Sequence, residues 1–265
     1  HTRPTVADMR AKKANGETIS MLFVETHDEA RAAAAAGIDM LSIMDSLWTP
    51  QMREAAGNCF VQVGLIYGEL VTVEDYLRAA HRVVMLGADC VYCAAGLGAI
   101  KAMADEGIPV VGHVGLVPSK CTWTGGFKAV GKTADSALAV WEQVKALEAA
   151  GCIGVELEVV PDRVGTWMTQ NTSLLMLGMG AGPGADAQYL FSEDVLGHGH
   201  NHKPRHGKAY RNFAAEFERL QSERIAAFKE FVDDVQTKVY PAPEHAVMIA
   251  DDEFEAFVTR VSNKE

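Results

Sequence analysis

One joint recurs along this chain of 265 residues: a helix-like stretch, a glycine, a small turn and then an apolar run. It reads Ala36-Gly37-Ile38-Asp39, Leu86-Gly87-Ala88-Asp89 and Ala150-Gly151-Cys152-Ile153. Glycine just past a helix end takes the left-handed cap conformation without steric cost. The run that follows each joint is short, continuous and aliphatic or β-branched, as in strands covered on both faces. Expected strands span 21–25, 40–44, 60–66, 90–94, 110–114, 154–160, 174–179 and 189–191, with helices over 28–36, 73–86, 97–106 and 134–150. Repeated strand–helix units of this size predict an α/β chain, a (β/α)8 TIM barrel. An open doubly wound sheet competes, but residues 21–28 lack its glycine-rich fingerprint after the first strand.

No linker or composition break interrupts the pattern, so the expectation is one domain over 1–265. A short helix over 4–14 precedes the first strand and is placed at the barrel bottom. Residues 209–235 form a long amphipathic helix with Phe213, Phe217, Leu220, Ile225, Phe228, Phe231 and Val235 as its apolar positions. It reads either as the eighth helix on its own barrel or as a helix used between subunits.

The chain is 48% hydrophobic and 22% charged, which excludes intrinsic disorder. A net charge of −11 argues against nucleic-acid binding, which needs a basic face. No apolar run reaches the ~18 residues of a membrane span. His1-Thr2-Arg3-Pro4 lacks the pattern of a secretory signal. The 5 cysteines, Cys59, Cys90, Cys93, Cys121 and Cys152, are scattered in apolar runs and read as buried thiols in a reducing cytoplasm. Cys90 and Cys93 have redox spacing but lie in a strand-like run rather than at a helix start.

In such a barrel the chemistry sits at the C-terminal strand ends. Those ends carry Asp45-Ser46, Gly64-Leu65-Ile66-Tyr67, Tyr92-Cys93, His113, and the pair Glu156 and Glu158, two apart and so on one face. Acid–base chemistry or metal binding are both open to this set. Asp45 also reads as a helix cap and His113 as a hydrogen-bonded core histidine. The loop after the eighth strand holds His198, His200, His202 and His206, a candidate transition-metal site or substrate anchor, or a solvated loop.

Several stretches resemble the ketopantoate hydroxymethyltransferase family (3-methyl-2-oxobutanoate hydroxymethyltransferase). Met44-Asp45-Ser46-Leu47 is similar to its Gly-Asp-Ser-Leu turn. Pro109-Val110-Val111-Gly112-His113-Val114-Gly115-Leu116-Val117-Pro118 is close to its Pro-Val-x-Gly-His-x-Gly-Leu-x-Pro run. Gly125-Gly126-Phe127-Lys128, Leu157-Glu158-Val159-Val160-Pro161, Gly178-Met179-Gly180-Ala181-Gly182 and Val239-Tyr240-Pro241 follow in family order. The resemblance implies a barrel of the phosphoenolpyruvate mutase and isocitrate lyase type and an aldol-type one-carbon transfer. A C3 proton leaves 3-methyl-2-oxobutanoate, and the enolate attacks the methylene carbon of 5,10-methylenetetrahydrofolate. Magnesium holds the 2-oxo acid. By position, Asp45 becomes a magnesium ligand, Ser46 a substrate contact, His113 a substrate-side donor and Glu158 the catalytic carboxylate. The family also implies a homo-oligomer.

The chain departs from that pattern at the chemistry. The family's third strand ends in Asp-Leu-Pro-Phe, its aspartate a second magnesium ligand; here stands Gly64-Leu65-Ile66-Tyr67. Its fourth strand carries Lys-x-Glu, the lysine for the substrate carboxylate; here those positions are Tyr92, a candidate substrate contact, and Ala94. The reading is therefore one-carbon transfer with an altered substrate. A carbon–carbon lyase of the superfamily, working without folate, and a non-catalytic metabolite-binding paralogue are the alternatives.

Overall fold

The computed structural model describes residues 3–199 and 204–263. Eight parallel strands close a barrel in sequential order: β1 Ile19–Phe23, β2 Met40–Met44, β3 Phe60–Gly64, β4 Cys90–Tyr92, β5 Val110–Gly115, β6 Gly154–Glu158, β7 Leu175–Met179 and β8 Ala187–Phe191. The helices are α1 Val6–Ala14, α2 His27–Ala36, α3 Pro50–Ala55, α4 Val73–Met85, α5 Leu97–Asp105, α6 Cys121–Thr124, α7 Ala134–Ala149, α8 Asp162–Gln170, α9 Ser192–Leu196, α10 Phe213–Thr237 and α11 Asp251–Ser262. The (β/α)8 expectation holds, and most element limits move by one to two residues. β1 starts earlier than expected because it pairs with β8 from Ile19↔Ala187, while Ser20 bonds Asp39. β6 stops at Glu158 because Val159 turns the backbone to a positive φ of 49°.

Two apolar layers account for the architecture. Outward-facing strand residues such as Leu41, Ile43, Val61 and Val63 pack against the helices. Inward-facing Met21, Met40, Phe60, Cys90, Val111 and Leu177 fill the barrel floor. Helix α1 belongs to that floor: its Met9 is fully buried, and Thr5 and Asp8 form a capping box at its start. Lys13 ties the end of the helix to the barrel, donating to the Asp186 carboxylate at 2.7 Å and to the carbonyls of Thr169 and Leu174. The floor is thus sealed, and the lumen opens only toward the C-terminal strand ends.

The chain divides into two compact units, His1–Arg211 and Asn212–Glu265, where the sequence pattern drew no boundary. The helix that follows β8 is the short α9, not the long one. Helix α10 begins at Phe213 rather than at 209, because the Asn212 side chain caps it through Ala215 N–H. None of its side chains is buried. Among the described residues no helix is long and apolar enough to cross a membrane.

Candidate active site

Above the apolar floor the lumen turns polar. Ser42 and Gln62 sit on β2 and β3 in register with each other, and His113 on β5 is in register with Glu156 on β6. Gln62 Nε2 donates to Glu156 Oε1 at 2.7 Å and to Ser42 Oγ at 3.2 Å. Tyr92 Oη bonds His113 Nδ1 at 2.7 Å. On the other side of the ring, His113 Nε2 lies 3.1 Å from Glu158 Oε2, and Nδ1 lies 3.6 Å from Glu156 Oε2. The Nε2–Glu158 approach is not aligned as a hydrogen bond, so this buried nitrogen has no hydrogen-bond partner among the described residues. If Tyr92 donates to Nδ1, a neutral ring carries its proton on Nε2, facing the space beside Glu158.

Burial sets the charge state of this layer. It pushes the Glu156 carboxyl up to about 7, with His113 and Gln62 pulling it down and Glu158 adding to the rise. Burial, reinforced by Glu156, drives the Tyr92 phenol far above its ordinary value, and burial does the same to Tyr189. Both phenols are therefore neutral O–H groups at neutral pH. Burial also raises the Cys93 thiol to about 11. Cys90 and Cys93 have odd spacing on the strand, face opposite layers and remain free thiols, which leaves their redox reading without support.

The end of β6 is held tightly. Val159 is β-branched and sits at φ 49°, a conformation that costs roughly 1–3 kcal/mol and survives only where surroundings enforce it. Here Val159 N–H bonds Met179 O, its carbonyl accepts from Val130 N–H, and Glu158 O accepts from Leu116 N–H. Gly115, at φ 88°, lies so close to the Glu158 carbonyl that any Cβ would collide with it. The strained turn after Glu158 is thus locked from both neighbouring strands, and it fixes where the carboxylate points.

The polar layer forms the base of a cavity of about 410 Å3. Glu158, Glu156, His113 and Tyr92 line it, together with Ser42, Tyr189 and an apolar wall that includes Met44, Met179 and Phe191. Gly64 gives the lining no side chain, and a Cβ there would make ordinary contact with Met44 and Tyr92 at 3.6 Å. His206 closes one side, its ring so near Gly180 that a Cβ there would come within 2.7 Å of Nδ1.

Other candidates lie elsewhere. Asp45 is buried, but Arg82 Nη2 donates to both of its carboxylate oxygens at 2.6 Å. Neither Asp45 nor the exposed Ser46 lines the cavity. His198 Nε2 stands 3.6 Å from Glu29 Oε1, away from the cavity lining. His200 and His202 lie outside the described residues. Among the described residues no three His, Cys, Asp or Glu side chains are grouped to hold a metal ion. Asp45 committed to Arg82, glycine at position 64 and a neutral phenol at 92 do not fit the magnesium that the resemblance implies. Calorimetric titration of the free protein with magnesium chloride should therefore give no saturable micromolar binding. A micromolar site would overturn this reading of Asp45.

The family model for ketopantoate hydroxymethyltransferase matches residues 48–243. The chain belongs to the ketopantoate hydroxymethyltransferase family. A 3-methyl-2-oxobutanoate hydroxymethyltransferase of Thermus thermophilus is 33% identical, the match covering 92% of this chain and 99% of that one. Another, numbered 1, of Methylibium petroleiphilum is 30% identical over 98% of this chain and 94% of its own. Among solved structures, 2,3-dimethylmalate lyase, a PEP mutase/isocitrate lyase superfamily member, superposes with a TM-score of 0.52 at 14% identity, covering 91% of this chain and 93% of that one. That likeness supports the barrel type alone.

The ketopantoate hydroxymethyltransferase motifs led to His113 and Glu158 but not to Gln62, Ser42 or Tyr189. A signal was present. Gln62 interrupts Phe60-Val61-Gln62-Val63, and Ser42 interrupts Met40-Leu41-Ser42-Ile43. A lone polar residue on the lumen-facing parity of a buried strand needs a partner across the barrel.

Proposed function

We propose that this chain is an aldol-type one-carbon transferase acting on the enol of a carbonyl compound, with the substrate altered from that of its named relatives. The observation that carries the reading is Glu158 on a strained, locked turn, 3.1 Å from a buried His113 Nε2 that has no hydrogen-bond partner among the described residues. Glu158 takes the proton from the carbon beside the carbonyl, and the C–H electron pair becomes the C=C bond. The carbonyl oxygen receives the displaced pair and is met by the N–H at His113 Nε2, which Tyr92 holds in orientation. The enol carbon then bonds to the methylene carbon of the one-carbon donor. By resemblance that co-substrate is 5,10-methylenetetrahydrofolate. Both C–N bonds of the methylene become N–H, and water supplies the new hydroxyl oxygen, so no oxidant or reductant is needed. No step runs through magnesium, because Asp45, Gly64 and Tyr92 do not fit it. The test is deuterium uptake beside the carbonyl, followed by NMR, with the folate donor present and absent. Uptake by neither a 2-oxo acid nor a simple ketone would end this reading.

Self-assembly belongs to the same proposal. Residues of the second unit, among them Phe217, Phe228, Phe231 and Phe257, are at least 49% exposed, more apolar surface than a short helical unit keeps in water. Light scattering should give a mass that is a multiple of 28.6 kDa. A single species at the monomer mass across working concentrations would refute assembly.

A further inference from the structure

The cavity is built for a carbonyl but not for a carboxylate beside it. Three carboxyl groups line it, Glu156, Glu158 and Asp194, and two imidazoles, His113 and His206. Among the described lining residues there is no lysine or arginine. Glu158 and Asp194 therefore meet no lysine or arginine among the described lining residues. Lys120 lies close enough to act on Cys93, yet it does not line the cavity. Tyr92 offers a phenol O–H, already bonded to His113, and the remaining wall is apolar. A carboxylate entering this space would lose its water and gain carboxyl neighbours without a cation, which is unfavourable for any buried charge.

We propose that the site selects an uncharged aldehyde or ketone with a branched apolar substituent, in place of a 2-oxo acid anion. This rests on the transferase reading of the same cavity and names its substrate class. The carbonyl oxygen meets His113 Nε2–H, and the apolar substituent lies against Met44, Met179 and Phe191. The carbon skeleton of the relatives' substrate is retained and its ionic group is not. Tyr92 is the specificity-determining position, because it stands where a cation would neutralise the carboxylate.

Two probes share one carbon skeleton, with a methyl group in one where the other has a carboxylate: 3-methylbutan-2-one and 3-methyl-2-oxobutanoate. Binding to the full chain is measured by ligand-observed NMR. The ketone is expected to bind about a hundredfold more tightly, the penalty for a like charge ~6 Å away at an effective dielectric of ~20. Asp194→Asn should raise affinity for the oxo acid more than for the ketone. Tyr92→Lys should shift the ratio toward the oxo acid, with circular dichroism confirming that the variant folds. Equal or tighter binding of the oxo acid by the wild type overturns the proposal. Binding of neither probe overturns it as well, since the branched carbonyl class would then be wrong. Tight ketone binding without deuterium exchange supports this selectivity and sinks the transferase reading, so the two failures are distinguishable.

Discussion

Glu158→Gln is expected to slow deuterium exchange beside the substrate carbonyl by roughly 10²–10⁴-fold, the usual contribution of a positioned acid–base group. The substitution keeps the shape and the backbone bonds that lock the turn at Val159, so circular dichroism and thermal melting should change little. Glu156→Gln should lower exchange less. Both carboxylates line the cavity, but Glu156 is engaged by Gln62 at 2.7 Å and is 5% exposed, whereas Glu158 is less deeply buried. The two residues share a face of β6, so this comparison separates the reacting carboxylate from the one that supports it. Equal exchange by wild type and Glu158→Gln would remove Glu158 as the base. A larger loss in Glu156→Gln would exchange their roles.

The barrel was legible because its signals are local. Cap glycines at 37, 87 and 151 end helices or begin turns through their own left-handed backbone, at φ 82°, 95° and 93°. Continuous aliphatic runs announce strands buried on two faces. The limits were less legible, because they depend on neighbours: β1 reaches back to Ile19 only because Ala187 of β8 lies beside it. Motifs pointed to Glu158 and His113, and both line the cavity. Asp45 does not line it. Its motif is intact, but Arg82, 37 residues away, takes both carboxylate oxygens. No local pattern reports such a partner. The same holds for Gln62 and Glu156, which meet across the barrel from positions 94 residues apart.

That cross-barrel pair predicts an unusual dependence of stability on pH. Burial raises the Glu156 carboxyl from 4.5 to about 7 in the folded chain. Below pH 4.5 the group is protonated in both the folded and unfolded states and leaves stability unchanged. As pH rises, the unfolded chain releases the proton first, while the folded chain still holds it. The unfolded state then binds fewer protons, so stability falls with pH until the folded group also ionises near 7. The loss amounts to about 3 kcal/mol across that window, at ~1.4 kcal/mol per pH unit. Glu156→Gln removes the titration and keeps an oxygen to accept from Gln62 Nε2. Relative to wild type, the variant should therefore gain about 3 kcal/mol between about pH 4 and pH 8. Chemical denaturation of both proteins at the two pH values measures the difference, and other titrating groups cancel in the comparison. A wild-type-minus-variant difference that is flat with pH would show that Glu156 is not held neutral by its burial. The polar layer would then carry an ionised carboxylate at the base of the cavity, accepting from Gln62 Nε2.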